Sequence, residues 1–338
     1  MILIRLVPKE TNINFLRLRK AAFGLSGLAA VASVIFYLAL GLNFGIDFRG
    51  GILVEARVET GANIGAMRDA AATLGLGDVS MQEFGDPRDV LIRVEQQDGG
   101  EEAQQAAVDA IKAVFASDIG EVEYRRVEFV GPKVSSELIR SGVLALTIAM
   151  AAMMFYIWLR FEWQFSVGAI IALVHDVFLT IGVFALARLE FNLSIIAAIL
   201  TIIGYSMNDT VVIYDRVREN LHKYRSLPLV DLLNKSVNDT LARTVMTSVT
   251  TLLALFALFF FGGEVIRGFT FAMIWGVLVG TYSSIFIAAP ALIFLGVHRG
   301  AKGAPRGKYA NAERVEAKDS DDPKKITDDS TADSKGEA

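Results

Sequence analysis

Residues 191–216 read FNLSIIAAILTIIGYSMNDTVVIYDR. The apolar part, 191–214, exceeds the roughly 20 residues that an α-helix needs to cross a bilayer, so it is read as a membrane span. Asp209 stands inside it. An ionisable group within the hydrocarbon costs at least about 2.5–3.5 kcal/mol on insertion scales, so it is normally there for ion handling or internal pairing. The same anomaly recurs at His175, Asp176 and Arg243, and at the membrane edge at Asp215. These residues set the functional question.

Working outward, five more runs are long enough to span, near residues 21–43, 139–159, 165–187, 240–262 and 268–297, in a chain that is 53% hydrophobic. The first carries no charge from Ala21 to Ile46 and follows Arg17, Arg19 and Lys20. Its apolar core is longer than the 7–15 residues of a cleavable signal peptide, so it reads as an uncleaved anchor. Basic residues flank the spans unevenly. Arg160, then Arg216, Arg218, Lys223 and Arg225, then Arg299, Lys302, Arg306 and Lys308 share a side with residues 1–20, and the opposite side has Arg188 and Arg267 in its two short loops. The positive-inside rule makes both termini cytoplasmic and puts the segment after the first span outside. With no cysteine in the chain, that segment folds without disulfides.

Residues 44–135 read as one small α/β domain. Ile52, Val54, Ala56 and Val58 alternate as in a strand, and 62–74 has helical spacing. Strands follow at 79–84 and 89–94, joined by the turn residues Gly85-Asp86-Pro87-Arg88. Residues 101–115 form an amphipathic helix and 121–130 a closing strand. The order βαββαβ is that of a ferredoxin-like unit. Residues 47–133 hold 17 acidic and 9 basic residues, a net charge of −8, which excludes nucleic acid bound through its phosphates. No metal-ligand or nucleophile–base spacing is present, so no catalytic residue, cofactor or metal is expected, and the chain is not read as an enzyme. Residues 298–338 are rich in Lys, Asp, Glu, Ser and Ala and are expected to be a disordered cytoplasmic tail.

Within the membrane, Asp215 adjoins basic residues and reads as an interfacial carboxylate paired with Arg216 or Arg218. Asp209 lies six residues deeper, about 9 Å, and Arg243 lies at a similar depth in the neighbouring antiparallel span. Thr247 is one turn from Arg243 on the same face, so a carboxylate, a guanidinium and a hydroxyl are expected to meet. Two readings fit that cluster. One is a static ion pair; the other is a proton carrier, in which burial favours the neutral acid, a nearby guanidinium favours the carboxylate, and helix motion alternates the two. A static buried pair is a weak source of stability, which favours the carrier. His175-Asp176 fits an interhelical hydrogen-bond pair or a relay station equally. In the last span Gly268, Ala272, Gly276, Gly280, Ser284 and Ala288 recur at every fourth residue. Gly276 and Gly280 form a GxxxG ridge, which suits a seam within the chain or an interface to another subunit.

Taken together, these residues resemble the SecF family, the smaller membrane subunits of bacterial SecD–SecF protein-export complexes. The resemblance rests on Phe44-Gly45-Ile46-Asp47-Phe48-Arg49-Gly50-Gly51 after the first span, on His175-Asp176, on GYSMNDTVVIYDRVREN from Gly204 to Asn220, and on Arg243-Thr244 with Met246-Thr247-Ser248. It covers residues 15–297, and the motif residues Asp47, Arg49, Gly50, Gly51, Gly204, Asn208, Asp215 and Arg216 carry over with it. It implies an α-helical polytopic inner-membrane protein whose six spans form half of a bundle similar to the resistance–nodulation–division transporters. It implies association with SecD, and through it with the SecYEG channel and the SecA ATPase, often with YajC. It also implies use of the proton-motive force to complete translocation of a polypeptide, with Asp209, Arg243 and Thr247 as the proton site. A small-molecule/proton antiporter subunit and a non-transporting scaffold are the rival readings. An antiporter needs a polar midplane pocket, where only His175-Asp176 stands. No GxxxxGK[ST] nucleotide motif occurs.

Overall fold

The computed structural model describes residues 11–59 and 61–297. The expected cytoplasmic tail, 298–338, lies outside the described residues.

A 3-10 turn, Phe15–Leu18, leads into α1 (Arg19–Leu40). A two-residue strand β1 (Asn43–Phe44) and a one-turn helix α2 (Ile46–Arg49) carry the chain to the inserted domain. That domain runs β2 (Gly51–Val58), α3 (Ile64–Ala72), β3 (Val79–Phe84), β4 (Asp86–Val94), α4 (Gly100–Asp118), β5 (Val122–Val130). The remaining elements are α5 (Pro132–Arg160), α6 (Trp163–Ala187), β6 (Glu190–Phe191), α7 (Leu193–Lys223), α8 (Leu229–Phe261), α9 (Arg267–Ser283), a π turn Ser284–Ala288, and α10 (Ala289–Phe294). Six helical segments are long and apolar enough to cross a membrane: Phe15–Leu40, Lys133–Arg160, Trp163–Ala187, Leu193–Lys223, Leu229–Phe261 and Arg267–Phe294.

The domain is the βαββαβ unit that the alternation predicts. Its sheet order is β3-β4-β2-β5 with every neighbouring pair antiparallel, the ferredoxin-like arrangement. Ile52, Val54, Ala56 and Val58 of the central strand face Met67, Ala70 and Ala71 of α3 and Ala107, Val108, Ile111 and Phe115 of α4, so both helices cover one face. The turn after β3 is tighter than the sequence suggests. β4 begins at Asp86, leaving Gly85, at φ 82°, as the one residue between the strands; such a backbone favours glycine.

The domain is tied to the membrane bundle at several points. β1 pairs in parallel with β6, Asn43 with Glu190 and Phe44 with Phe191. Gly51 has φ 110°, and a Cβ there would lie 2.4 Å from the Val94 carbonyl oxygen, so the turn from α2 into β2 admits only glycine. Asp47 Oδ2 accepts a hydrogen bond from the Leu193 backbone N–H at 2.8 Å. The carboxylate satisfies a free donor at the N-terminus of α7 and sits at the positive end of its dipole. Arg93 of β4 forms an ion pair with Glu190.

Within the bundle, α6, α7 and α9 are the interior helices. Their apolar windows are 50–67% buried, against 11% for α1, α5 and α8. α7 continues as helix to Lys223 and α8 starts at Leu229. The basic stretch expected between the fourth and fifth spans is therefore helical except at residues 224–228.

Candidate functional site

The site is built by the close approach of α9 to α7. A Cβ on Gly276 would fall 2.2 Å from Ile202 Cγ1, and one on Gly280 would fall 3.0 Å from Ser206 Cβ. The GxxxG ridge is thus a seam within this chain, and of its two sequence readings the intrachain one holds. Beyond the seam, Pro290 has no N–H to donate and its ring crowds the carbonyl four residues back. The helix widens into the π turn Ser284–Ala288, which ends two residues before it, a feature that recurs at functional sites. The Tyr214 hydroxyl donates to the Ala288 carbonyl in that turn at 3.0 Å. Gly168 leaves room for it, since a Cβ there would lie 2.5 Å from the Tyr214 oxygen.

Two buried carboxylates flank this turn. Asp176 of α6 is 1% exposed. Its Oδ2 accepts from Ser206 of α7 at 2.6 Å and from Ser283 of α9 at 2.8 Å, and its Oδ1 lies 3.0 Å from His175 Nδ1. Asp209 of α7 is 8% exposed. Its Oδ1 accepts from the Thr244 hydroxyl of α8 at 2.5 Å, and its Oδ2 accepts from Ser284. A second pair, Ser248 of α8 and Thr281 of α9, lies 2.7 Å apart, and Tyr205 of α7 donates to Ser248 at 3.3 Å. The polar centre therefore consists of two carboxylates served mainly by hydroxyls, which can both donate and accept a hydrogen bond.

The expected contact of Asp209 with Arg243 and Thr247 is corrected by this geometry. The hydroxyls on Asp209 belong to Thr244 and Ser284. Thr247 instead donates to carbonyls of its own helix, Arg243 and Thr244, both at 2.9 Å. Arg243 is exposed on α8 and makes no ion pair with Asp209 among the described residues. The cause is helix rotation. Thr244 follows Arg243 by one residue and points about 100° further round the axis, toward α7.

The pairing of Asp215 with Arg216 or Arg218 is likewise corrected. Asp215 pairs with Arg160 at 3.2 Å. Arg216 turns to Asp239 of α8 at 2.9 Å and to Glu219 at 2.7 Å. The buried Asn220 joins α7 to α8 through Ser236 at 2.9 Å and Asp239 at 3.2 Å. The other motif residues divide by role. Asp47, Gly50 and Gly51 build the junction between domain and bundle. Arg49 and Asn208 are exposed, and Gly204 has open space where a Cβ would stand. Sequence reasoning missed Ser206, Ser283, Ser284 and Thr244 as partners of the acids, although each lies at the depth of a buried carboxylate.

This combination defines a class: a six-span helical membrane protein with paired intramembrane acids and an inserted α/β domain. Family models locate it further. That for the C-terminal region of the protein export membrane proteins SecD/SecF matches residues 110–298, and that for the SecD/SecF GG motif matches residues 38–62. The protein translocase subunit SecF of Rhodobacter capsulatus is 47% identical over 308 residues, covering 88% of this chain and 92% of the relative. That of Rickettsia felis is 46% identical over 290 residues, covering 86% and 94%. Among solved structures, SecDF from Thermus thermophilus superposes with a TM-score of 0.77 at 34% identity over 86% of this chain. SecDF in its super-membrane-facing form gives 0.60 at 31% identity over 94% of this chain. The chain spans 39% and 41% of the length of those two SecDF proteins. The chain belongs to the SecD/SecF family of protein-export membrane proteins, in its SecF branch.

Proposed function

We propose that the chain works as an auxiliary subunit of the Sec translocase, lying in the bacterial inner membrane with both termini cytoplasmic and its α/β domain in the periplasm. Its partner on this reading is SecD, and through SecD it meets the SecYEG channel and the SecA ATPase, with YajC as a further associate. Together the two subunits draw on the proton-motive force to complete export of an unfolded polypeptide. The observation that carries the reading is Asp209, buried in the interior helix α7 and held by two hydroxyls. Hydroxyl partners let a carboxyl group load and release a proton, whereas a committed ion pair would lock it.

Arg243 takes its place in the same reading. A guanidinium exposed on a span cannot face lipid without large cost, so it faces protein or water in the assembled complex. The α8 face that bears it is the surface for the SecD half. One charge crossing the membrane releases about 2.3 kcal/mol per 100 mV. The two packings of a swinging exterior domain need differ by only a few kcal/mol, so one or two protons suffice and no nucleotide is required. The coupling route to that domain runs along a single helix. Asp209 sits on α7, whose N-terminal N–H is held by Asp47 of the junction.

The antiporter reading gains no support from the groove along α1 and α6. The groove of about 450 Å³ between α1 and α6 is lined by Ala30, Val31, Val34, Ile35, Ile171, Val174, His175 and Phe178, with His175 its sole polar side chain. Polar substrates need more than that. Copurification from native membranes tests the proposal. Recovery of a SecD protein with the chain is expected, and a stable association with a drug-exporting assembly instead would overturn it.

A further inference from the structure

The two carboxylates are bridged by consecutive residues. Ser283 donates to Asp176 at 2.8 Å and Ser284 donates to Asp209. Both serines are fully buried, one at the end of α9 and the other opening the π turn. Each hydroxyl also has a second acceptor three residues back: the Gly280 carbonyl lies 3.2 Å from Ser283 Oγ, and the Thr281 carbonyl lies 3.0 Å from Ser284 Oγ. A hydroxyl carries one hydrogen, so it serves the carboxylate or the carbonyl, not both fully.

We propose that Ser283 and Ser284 form a paired hydroxyl switch that couples the protonation of Asp176 to that of Asp209. This rests on the proton-carrier reading of Asp209 and adds to it a second proton site and the element that links the two. An ionised carboxylate holds the hydrogen of its serine. A protonated carboxyl becomes the donor, and its serine turns its hydrogen to the carbonyl three residues back. Because the two serines share a peptide bond, any shift of the turn that brings one serine closer to its carboxyl or further from it also moves the other serine relative to its own carboxyl. The wide π turn, held open by Pro290, supplies the freedom to do so. The proton on Asp209 passes to and from the carboxyl oxygen itself, and the serines gain and lose none.

Among the described residues, few charged or titratable groups surround the pair. His175 adjoins Asp176, with the Tyr282 ring 6.2 Å from the imidazole. On the Asp209 side Arg243 of α8 is the nearby charge, and Tyr205 is committed to Ser248.

The test is infrared titration of the full-length chain in lipid nanodiscs labelled with carboxyl-13C aspartate. The Asp209 band is assigned by its loss in Asp209→Asn. We expect Asp176→Asn to displace the Asp209 midpoint by about one pH unit, the size of a coupled pair, and Ser283→Ala to reduce that displacement by more than half. Ser284→Cys, which keeps the volume and a weak donor, should retain part of it. An Asp209 band that titrates with one midpoint whatever occupies 176 and 283 overturns the switch while leaving the carrier intact. A band that does not titrate at all overturns both.

Discussion

At the residue scale, the proposed function rests on the buried acids. Thr244 and Ser284 hold Asp209, so removing one hydroxyl leaves a buried carboxylate short of a partner. That costs about 1–3 kcal/mol for the unsatisfied group. Thr244→Val should therefore impair export more than Thr247→Val, although Thr247 is the residue its spacing from Arg243 picks out. Export rates at matched membrane levels check this, and equal losses would show that the geometry around Asp209 does not matter. That Asp209 is special is legible in the sequence, because one carboxylate in an apolar run is conspicuous. Its partners are not. Residue counting fixes depth at about 1.5 Å per residue, whereas rotation about the axis changes by about 100° at each step. Depth alone cannot choose Thr244 over Arg243, and a serine inside a stripe of small residues looks like a packing residue.

At the scale of elements, the seam of α9 on α7 aligns the serines with the acids. Gly276 and Gly204 give opposite predictions. Gly276→Ala puts a methyl group 2.2 Å from Ile202 Cγ1, and overpacking of this kind costs about 1–3 kcal/mol. Gly204→Ala meets nothing within 4 Å and should leave the isolated chain as stable as before or slightly more so. Unfolding in mixed detergent micelles measures both; a neutral Gly276→Ala would mean that the helices are not in contact there. The ridge is readable from a four-residue repeat, but its partner is not, since any smooth helix face would fit it. The π turn is also hidden, because Pro290 announces a break without saying what form the break takes. The strands are the opposite case. Alternation at Ile52, Val54, Ala56 and Val58 defines both the strand and its buried face, so the domain is legible almost residue by residue.

At the scale of the whole molecule, the domain and the bundle meet through β1–β6 pairing, the Arg93–Glu190 ion pair and the Asp47 contact to α7. Asp47→Ala removes a helix-terminal partner of the kind worth about 1 kcal/mol. It should loosen the domain without unfolding it, seen as faster amide exchange across residues 43–51 with the β2–β5 core still protected. Unchanged exchange would show that the junction does not depend on Asp47. A reporter fused near Gly99 should be active only on the exported side if the proposed topology holds, and cytoplasmic activity would reverse it.

The central claim is that Asp209 carries the protons that drive export, and proton-gradient-dependent translocation in inner-membrane vesicles tests it most directly. Asp209→Asn keeps the side-chain volume and removes the titratable proton. With wild-type protein, adding an uncoupler should slow completion of translocation to the level of the Asp209→Asn vesicles. In the variant the uncoupler should change this contribution no further, while ATP-driven initiation proceeds in both. Full, uncoupler-sensitive completion by a well-expressed Asp209→Asn chain would contradict the account.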